Sequence, residues 1–244
     1  MSFLLRLFIV LLLTAVASPA AENTYPDAGD LIAGVLAALP DIPVRVTAQL
    51  QSRNEDGDVE KTLNAEMRLD WHGAVPSAKY SIRDAFGANL EGLIISWQAD
   101  GTPQFRYFRG DPLVIASLPN LSASIAGTDI CWIDLTLSYL WWPGGKTTGS
   151  ETIRGRFCYI VEIPAPPRKS GTYAGVRLWI DPQLHILLKA ESYDSRNNPL
   201  RLLEVKSFKK VNDLWLIQNI DIQTLSTRHK TVLRVTKADS ETGN

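Results

Sequence analysis

At 244 residues, 45% hydrophobic and 21% charged, the chain has a globular composition and enough length to bury one sizeable core. Its formal net charge is −1, and no basic run is longer than the pair Lys209 and Lys210. A nucleic-acid footprint, which needs a basic face, is therefore excluded.

Residues 1–20 read as a secretory signal peptide. Arg6 supplies the positive n-region, residues 7–17 the apolar run, and small residues then offer cleavage after Ala17 or Ala20. The run is shorter than the roughly 20 residues that span a bilayer. Neither cysteine lies near the cleavage region, so lipid attachment there is not available. A single domain is expected over residues 21–237, followed by a flexible tail at 238–244.

Next, Leu31, Ile32, Val35, Leu36 and Leu39 recur at helical spacing, with Asp30 as the expected N-cap and Pro40 as the stop. The period then changes to two. Val44, Val46, Ala48 and Leu50 alternate with polar residues, as do Leu63, Ala65, Met67, Leu69 and Trp71, and the "NEDGD" between them carries a turn signal. The two runs predict a hairpin. "LEGLIISWQADGTPQFRYF" repeats the grammar, with its turn at Asp100-Gly101. The stretch from Pro112 to Pro143 breaks the alternation: Trp132, Leu135, Tyr139 and Trp142 fall at helical spacing, which predicts a short helix capped near Thr128 or Asp129 and ended by Pro143 and two glycines. The last third is a meander, "GVRLWI", "HILLKAESYD", "PLRLLEVKSFKKV", "LWLIQNIDIQTLS" and "TVLRVTK", with turns at Asp181-Pro182, Ser195 to Pro199, Asn212-Asp213 and Ser226 to His229. Such spacing argues for an all-β barrel or strongly curved sheet.

Little of this points to catalysis. His72, His185 and His229 are scattered without metal-ligand spacing, so no metal is expected, and no glycine-rich loop or serine-hydrolase elbow implies a cofactor or nucleophile. Cys131 sits among Ile130, Trp132 and two aspartates, a setting that raises a thiol pKa. Asp129 with Asp134, or Glu191 with Asp194, could form a glycosidase-like carboxylate pair, but caps and strand edges explain them more simply. Cys131 and Cys158 are the only cysteines, and an oxidising compartment favours a disulfide between them, with two separate buried thiols as the alternative. Phe157, Tyr159, Val161 and Ile163 claim the buried face of their strand, which turns Cys158 outward. A bridge then requires the Cys131 segment to wrap an edge, or the strand phase to slip at a bulge. What remains is apolar surface: a curved sheet would present Leu63, Met67, Leu69, Trp71, Val176, Leu178 and Ile180 on its concave side, either as filled core or as the wall of a ligand cavity.

From Tyr107 to Val235 the chain resembles the LolA-like proteins, the outer-membrane lipoprotein-sorting group. The residues that carry the likeness are "GTDICWIDL", "GSETIRGRFCYIVEIP" and "VRLWIDPQLHILLKAESYDSRNNPLRLLEVKSFKKVNDLWLIQNIDI". One departure is that no proline follows Trp215. The resemblance implies a mainly β fold, an incomplete antiparallel β-barrel (half-barrel) with a short N-terminal helix and a helical lid. It also implies a periplasmic monomer without enzymatic activity that carries a lipid or acylated protein ligand between membrane-bound donor and acceptor. The cavity floor would be the concave residues named above, with Trp132, Leu135, Leu140, Trp141 and Trp142 as lid or rim. An interaction or lipid-sensing module of the envelope is the second reading.

Overall fold

The structure, a computed structural model, describes residues 25–98, 102–167, 173–211 and 214–240. The expected signal peptide and the turns at Asp100-Gly101 and Asn212-Asp213 lie outside the described residues. Among the described residues no helix is long and apolar enough to cross a membrane.

The first element is helix α1 (Ala28–Ala37), which buries Ala28, Leu31, Ile32 and Val35 along one stripe. Its N-cap is Asp27 and not the expected Asp30: the Asp27 carboxylate accepts from the N–H groups of Gly29 (2.8 Å) and Asp30 (3.2 Å). Asp30 instead sits in the first turn, where its charge complements the helix dipole. Strands β1 (Val44–Arg53), β2 (Val59–Asp70), β3 (Ser77–Arg83), β4 (Asn89–Trp97), β5 (Pro103–Arg109) and β6 (Val114–Ala116) follow. After a long crossing segment come β7 (Lys146–Ile153), β8 (Arg156–Pro164), β9 (Gly175–Asp181), β10 (Ile186–Tyr193), β11 (Pro199–Val211), β12 (Leu214–Thr224) and β13 (Lys230–Ser240).

These strands form one antiparallel sheet in the order β6-β5-β4-β3-β2-β1-β13-β12-β11-β10-β9-β8-β7. The edges, β6 and β7, do not pair, so the curved sheet is an incomplete barrel. Alternation sets its faces: Val44, Val46, Ala48 and Leu50 of β1 point into the concavity while Arg45 faces solvent. β13 extends to Ser240 and pairs Ala238, Asp239 and Ser240 with Val46, Arg45 and Val44, so the expected tail begins inside a strand.

The sheet has two unlike ends. Residues 54–58, 84–88, 194–198 and 225–229 are the turns of one end, and residues 71–76, 182–185 and the α1 to β1 link lie at the other. At this second end the sheet splits. β12 and β13 pair only from Asn219↔Arg234 to Gln223↔Lys230; beyond that β12 stays with β11 and β13 with β1. The split coincides with a register shift at Thr47/Ala48, where Thr236 is the extra residue and its hydroxyl donates to the Thr47 carbonyl. An inserted residue bends its strand and increases the local twist, which is what parts the neighbours.

Candidate functional site: an apolar cavity under a pinned lid

The crossing segment between β6 and β7 lies over the concave face as a lid. Its helix α2 (Trp132–Thr136) is a single short turn with Cys131 as N-cap, not Thr128 or Asp129. Leu137 then takes a left-handed conformation (φ 51°), and a 3-10 turn follows at Ser138–Trp141. The expected continuous helix is thus broken in the middle, so Tyr139 and Trp142 leave the face that Trp132 and Leu135 share.

Polar side chains pin the lid at the closed end of the sheet. Asp129 donates its backbone N–H to the Thr231 hydroxyl (2.8 Å), and its carboxylate accepts from Thr224 (2.8 Å) and Thr231 (3.1 Å). Lys61 donates to the Ala126 carbonyl (2.6 Å), while Glu91 accepts from the Ala126 N–H (2.8 Å) and from the Tyr107 hydroxyl (2.8 Å). Burial and this Glu91 bond push Tyr107 up to about 12.

A second, deeper knot joins Asp134 to strand β11 and to the loop before β9. Arg201 donates to the Tyr173 hydroxyl (3.0 Å) and the Ser122 carbonyl (3.0 Å) and lies 3.5 Å from Asp134. Tyr173 and Cys131 each donate to Asp134 at 3.0 Å. Burial raises the Asp134 carboxyl above its ordinary range, opposed by Arg201 and by the bonds from Cys131 and Tyr173. Burial, reinforced by the Asp134 charge, pushes the Cys131 thiol up as well, so it is no nucleophile.

At the other end aromatic rings hold the lid. Trp141 stacks on Trp71 (5.4 Å between centroids, 24°) and lies tilted against Trp97 (4.5 Å, 30°), and Trp71 and Trp97 also touch (5.4 Å). Between this aromatic cluster, α1 and the split in the sheet lies an apolar cavity of about 220 Å³. Val35, Leu39 and Pro40 of the first helix and its exit line one side. Val44, Val46, Met67, Leu69 and Trp71 line another, and Leu203, Phe208, Leu216, Ile217, Ile220, Ile222, Leu233 and Val235 the third; Ile130, Asp134, Leu135 and Leu140 of the lid close it. His185 stands at the opening, packed on the helix where Gly34 has no side chain; a Cβ there would come within 2.5 Å of the imidazole.

Of the residues singled out in the sequence, Met67, Leu69, Trp71, Leu135 and Leu140 meet on this cavity. The others stand elsewhere. Leu63 is filled core, and so are Val176, Leu178 and Ile180, at most 1% exposed. α1 lies over β9 there, which leaves no cavity. Trp132 is buried with its ring edge-on to Tyr80 and Tyr107. Trp141 belongs to the aromatic cluster, and Trp142 faces a separate depression bounded by Phe105, Leu118, Ile133 and Tyr173. The wall from β11, β12 and β13 was missed, although the alternation of Leu203 with Val205 and of Leu233 with Val235 carries the signal.

The disulfide is not formed: both thiols are free and buried. The sheet itself lies between them. Tyr159, Val161 and Ile163 face the concave core, so Cys158 packs with Trp179 and Leu188 on the opposite face, while Cys131 sits in the lid. No bulge in β8 reverses that phase. Burial, then the Asp181 charge, push Cys158 up to about 11. Phe157, expected on the buried face, is 50% exposed at the start of its strand.

The carboxylate pairs also separate. Asp129 and Asp134 serve two different hydrogen-bond networks, Glu191 binds Arg177 (3.1 Å), and Asp194 caps the turn at residues 194–198. Among the described residues no group of His, Cys, Asp and Glu could hold a metal ion.

An open antiparallel half-barrel with an apolar hollow and a pinned lid defines the class, and the fold is LolA-like. The chain belongs to the family whose model, described as "Uncharacterized protein", matches residues 110–243. Solved structures similar to it include the following three. A DUF1329 family protein from Desulfovibrio piger superposes with a TM-score of 0.74 at 15% identity, covering 88% of this chain and 92% of its own. A protein described as an outer membrane lipoprotein-sorting protein domain, from Vibrio parahaemolyticus, gives 0.74 at 15% identity over 88% and 93%. A LolA superfamily protein from Nitrosomonas europaea gives 0.59 at 16% over 90% and 96%. No curated protein matches the chain.

Proposed function

We propose that this protein is a periplasmic binding protein or carrier for lipid or lipoprotein acyl chains, held in the apolar cavity under the lid. The observation that carries this reading is the cavity itself. Its wall is almost wholly aliphatic and aromatic, and it opens where the sheet splits. A void of this size inside a well-packed core costs stability, and an acyl chain offsets that cost by returning the lost contacts. The Vibrio neighbour, described as a lipoprotein-sorting protein domain, supports the same kind of ligand. In this reading the protein shields a chain from water, worth about 0.8 kcal/mol per buried CH₂, and has no reaction to catalyse.

Native mass spectrometry and organic extraction of purified protein test it. Co-purifying lipid, or displacement of a bound naphthyl probe by fatty acids, is expected; an empty protein that binds no apolar probe overturns the reading. A second reading, an envelope interaction or lipid-sensing module without a transport role, draws on the short free edge β6. Its Val114 and Ile115 are 60% and 75% exposed, the kind of apolar edge that pairs with another chain. In that case a partner captured by the protein stays bound after Ile220→Trp fills the cavity.

A further inference from the structure

Three features of the cavity bear on what it holds. The first is volume. An apolar cavity of 150 Å³ takes one benzene, six carbons, so 220 Å³ on the same scale takes about nine. The space beside it gives no more room: Val176, Leu178 and Ile180 are fully packed beneath α1, and Trp132 is 2% exposed.

The second is a gradient of exposure along the wall. Ile130, Leu203, Ile222 and Leu233 are buried at the inner end, while Leu39, Trp71, Phe208, Leu216 and Val235 are partly exposed at the end of the sheet where β12 and β13 part. The cavity therefore has one mouth and one blind end. The third is the chemistry of that blind end. Asp134 lines it, and its carboxyl is already engaged by Cys131, Tyr173 and Arg201. An anionic head group would meet a carboxylate there with its partners taken, and a methyl terminus meets leucine and isoleucine.

We infer that the cavity takes a single unbranched acyl chain, methyl end first, to a depth of about nine carbons, and leaves the head group and any further carbons at the mouth. This rests on the acyl-binding reading above and narrows it from lipids in general to one chain per protein, measured by length.

The test is a series of saturated fatty acids from six to sixteen carbons, each below its micelle concentration, displacing N-phenyl-1-naphthylamine from the full protein. Affinity should rise about fourfold per methylene up to roughly ten carbons and then stay level. An unbroken rise to sixteen carbons overturns the depth limit while leaving acyl binding in place. Failure of every chain length to displace a bound probe, or of the probe to bind, overturns both. Leu203→Ala, which enlarges the blind end, should move the break two or three carbons longer; a break that stays put overturns the assignment of the blind end. The wild-type series decides the depth by itself if that variant does not fold.

Discussion

The two ends of the half-barrel hold the same lid by different forces. At the closed end, Asp129, Lys61, Glu91 and Arg201 tie it to five strands through directional bonds, most of them at least partly buried. At the mouth the Trp71, Trp97 and Trp141 rings hold it through apolar contact, beside strands that have parted. Buried hydrogen bonds are expensive to leave unmade, whereas stacked rings at a half-buried site separate by degrees. If the lid opens for an acyl chain as proposed, the closed end is expected to act as the hinge and the mouth to yield.

The largest expected effect comes from breaking the closed end. Arg201→Met leaves the Asp134 carboxylate buried without its cation, and about 3 to 5 kcal/mol of stability should be lost in urea unfolding. Pairing it with Asp134→Leu should recover much of that loss, because an apolar replacement of both partners leaves no buried charge. Equal losses in the single and double variants would show that packing, not the ion pair, pins the lid there.

Breaking the mouth should cost less. Trp141→Ala removes the lid's ring from the three-tryptophan cluster, and a loss of about 2 kcal/mol is expected for a half-buried aromatic, with faster probe entry in stopped-flow fluorescence. Unchanged entry would place the yielding part of the lid elsewhere.

A smaller, pH-dependent contrast separates two carboxylates. Asp134 at the closed end is raised by burial, so the folded state binds its proton more tightly than the unfolded chain. Its charged form is a cost, present above its folded pKa and relieved as pH falls. At Asp181, near the mouth, burial opposes ionisation, but Arg156 and the N–H groups of Leu184 and Gln183 hold the carboxyl below its usual range. It contributes stability above its unfolded pKa of about 4, lost as pH falls through its folded value. Urea midpoints between pH 3 and 7 should show the deficit of Asp181→Asn shrinking on acidification, while Asp134→Asn gains on wild type as pH rises. Slopes of the same sign would remove the contrast.

The thiols sharpen the picture without changing stability. Native protein should leave both cysteines unreacted toward a thiol reagent, and denatured protein should show two free thiols. Two oxidised cysteines in denaturant would mean that the sheet does not separate them.

Much of the fold was legible because period-two alternation reports directly on a strand with one buried face. β1, β2, β9 and β10 carry it plainly, and the inward phase of Tyr159, Val161 and Ile163 already turned Cys158 away from the lid. The polar strand β7 and the short β3 were not legible, since β7 exposes residues on both faces at an edge. The lid was half legible. Its break in alternation was visible, but the left-handed Leu137 that stops α2 after five residues was not, because no glycine or asparagine marks it.

What the sequence alone determined, then, is which side of each strand is apolar, since that follows from residue spacing and nothing else. It did not determine whether an apolar face is filled or hollow. Val176, Leu178 and Ile180 alternate as Leu203 with Val205 and Leu233 with Val235 do, yet α1 lies over the first set while a cavity adjoins Leu203, Leu233 and Val235. Only the tertiary structure decided that, because a cavity is the space left between elements far apart in the chain, set by where a helix ends and where two strands part.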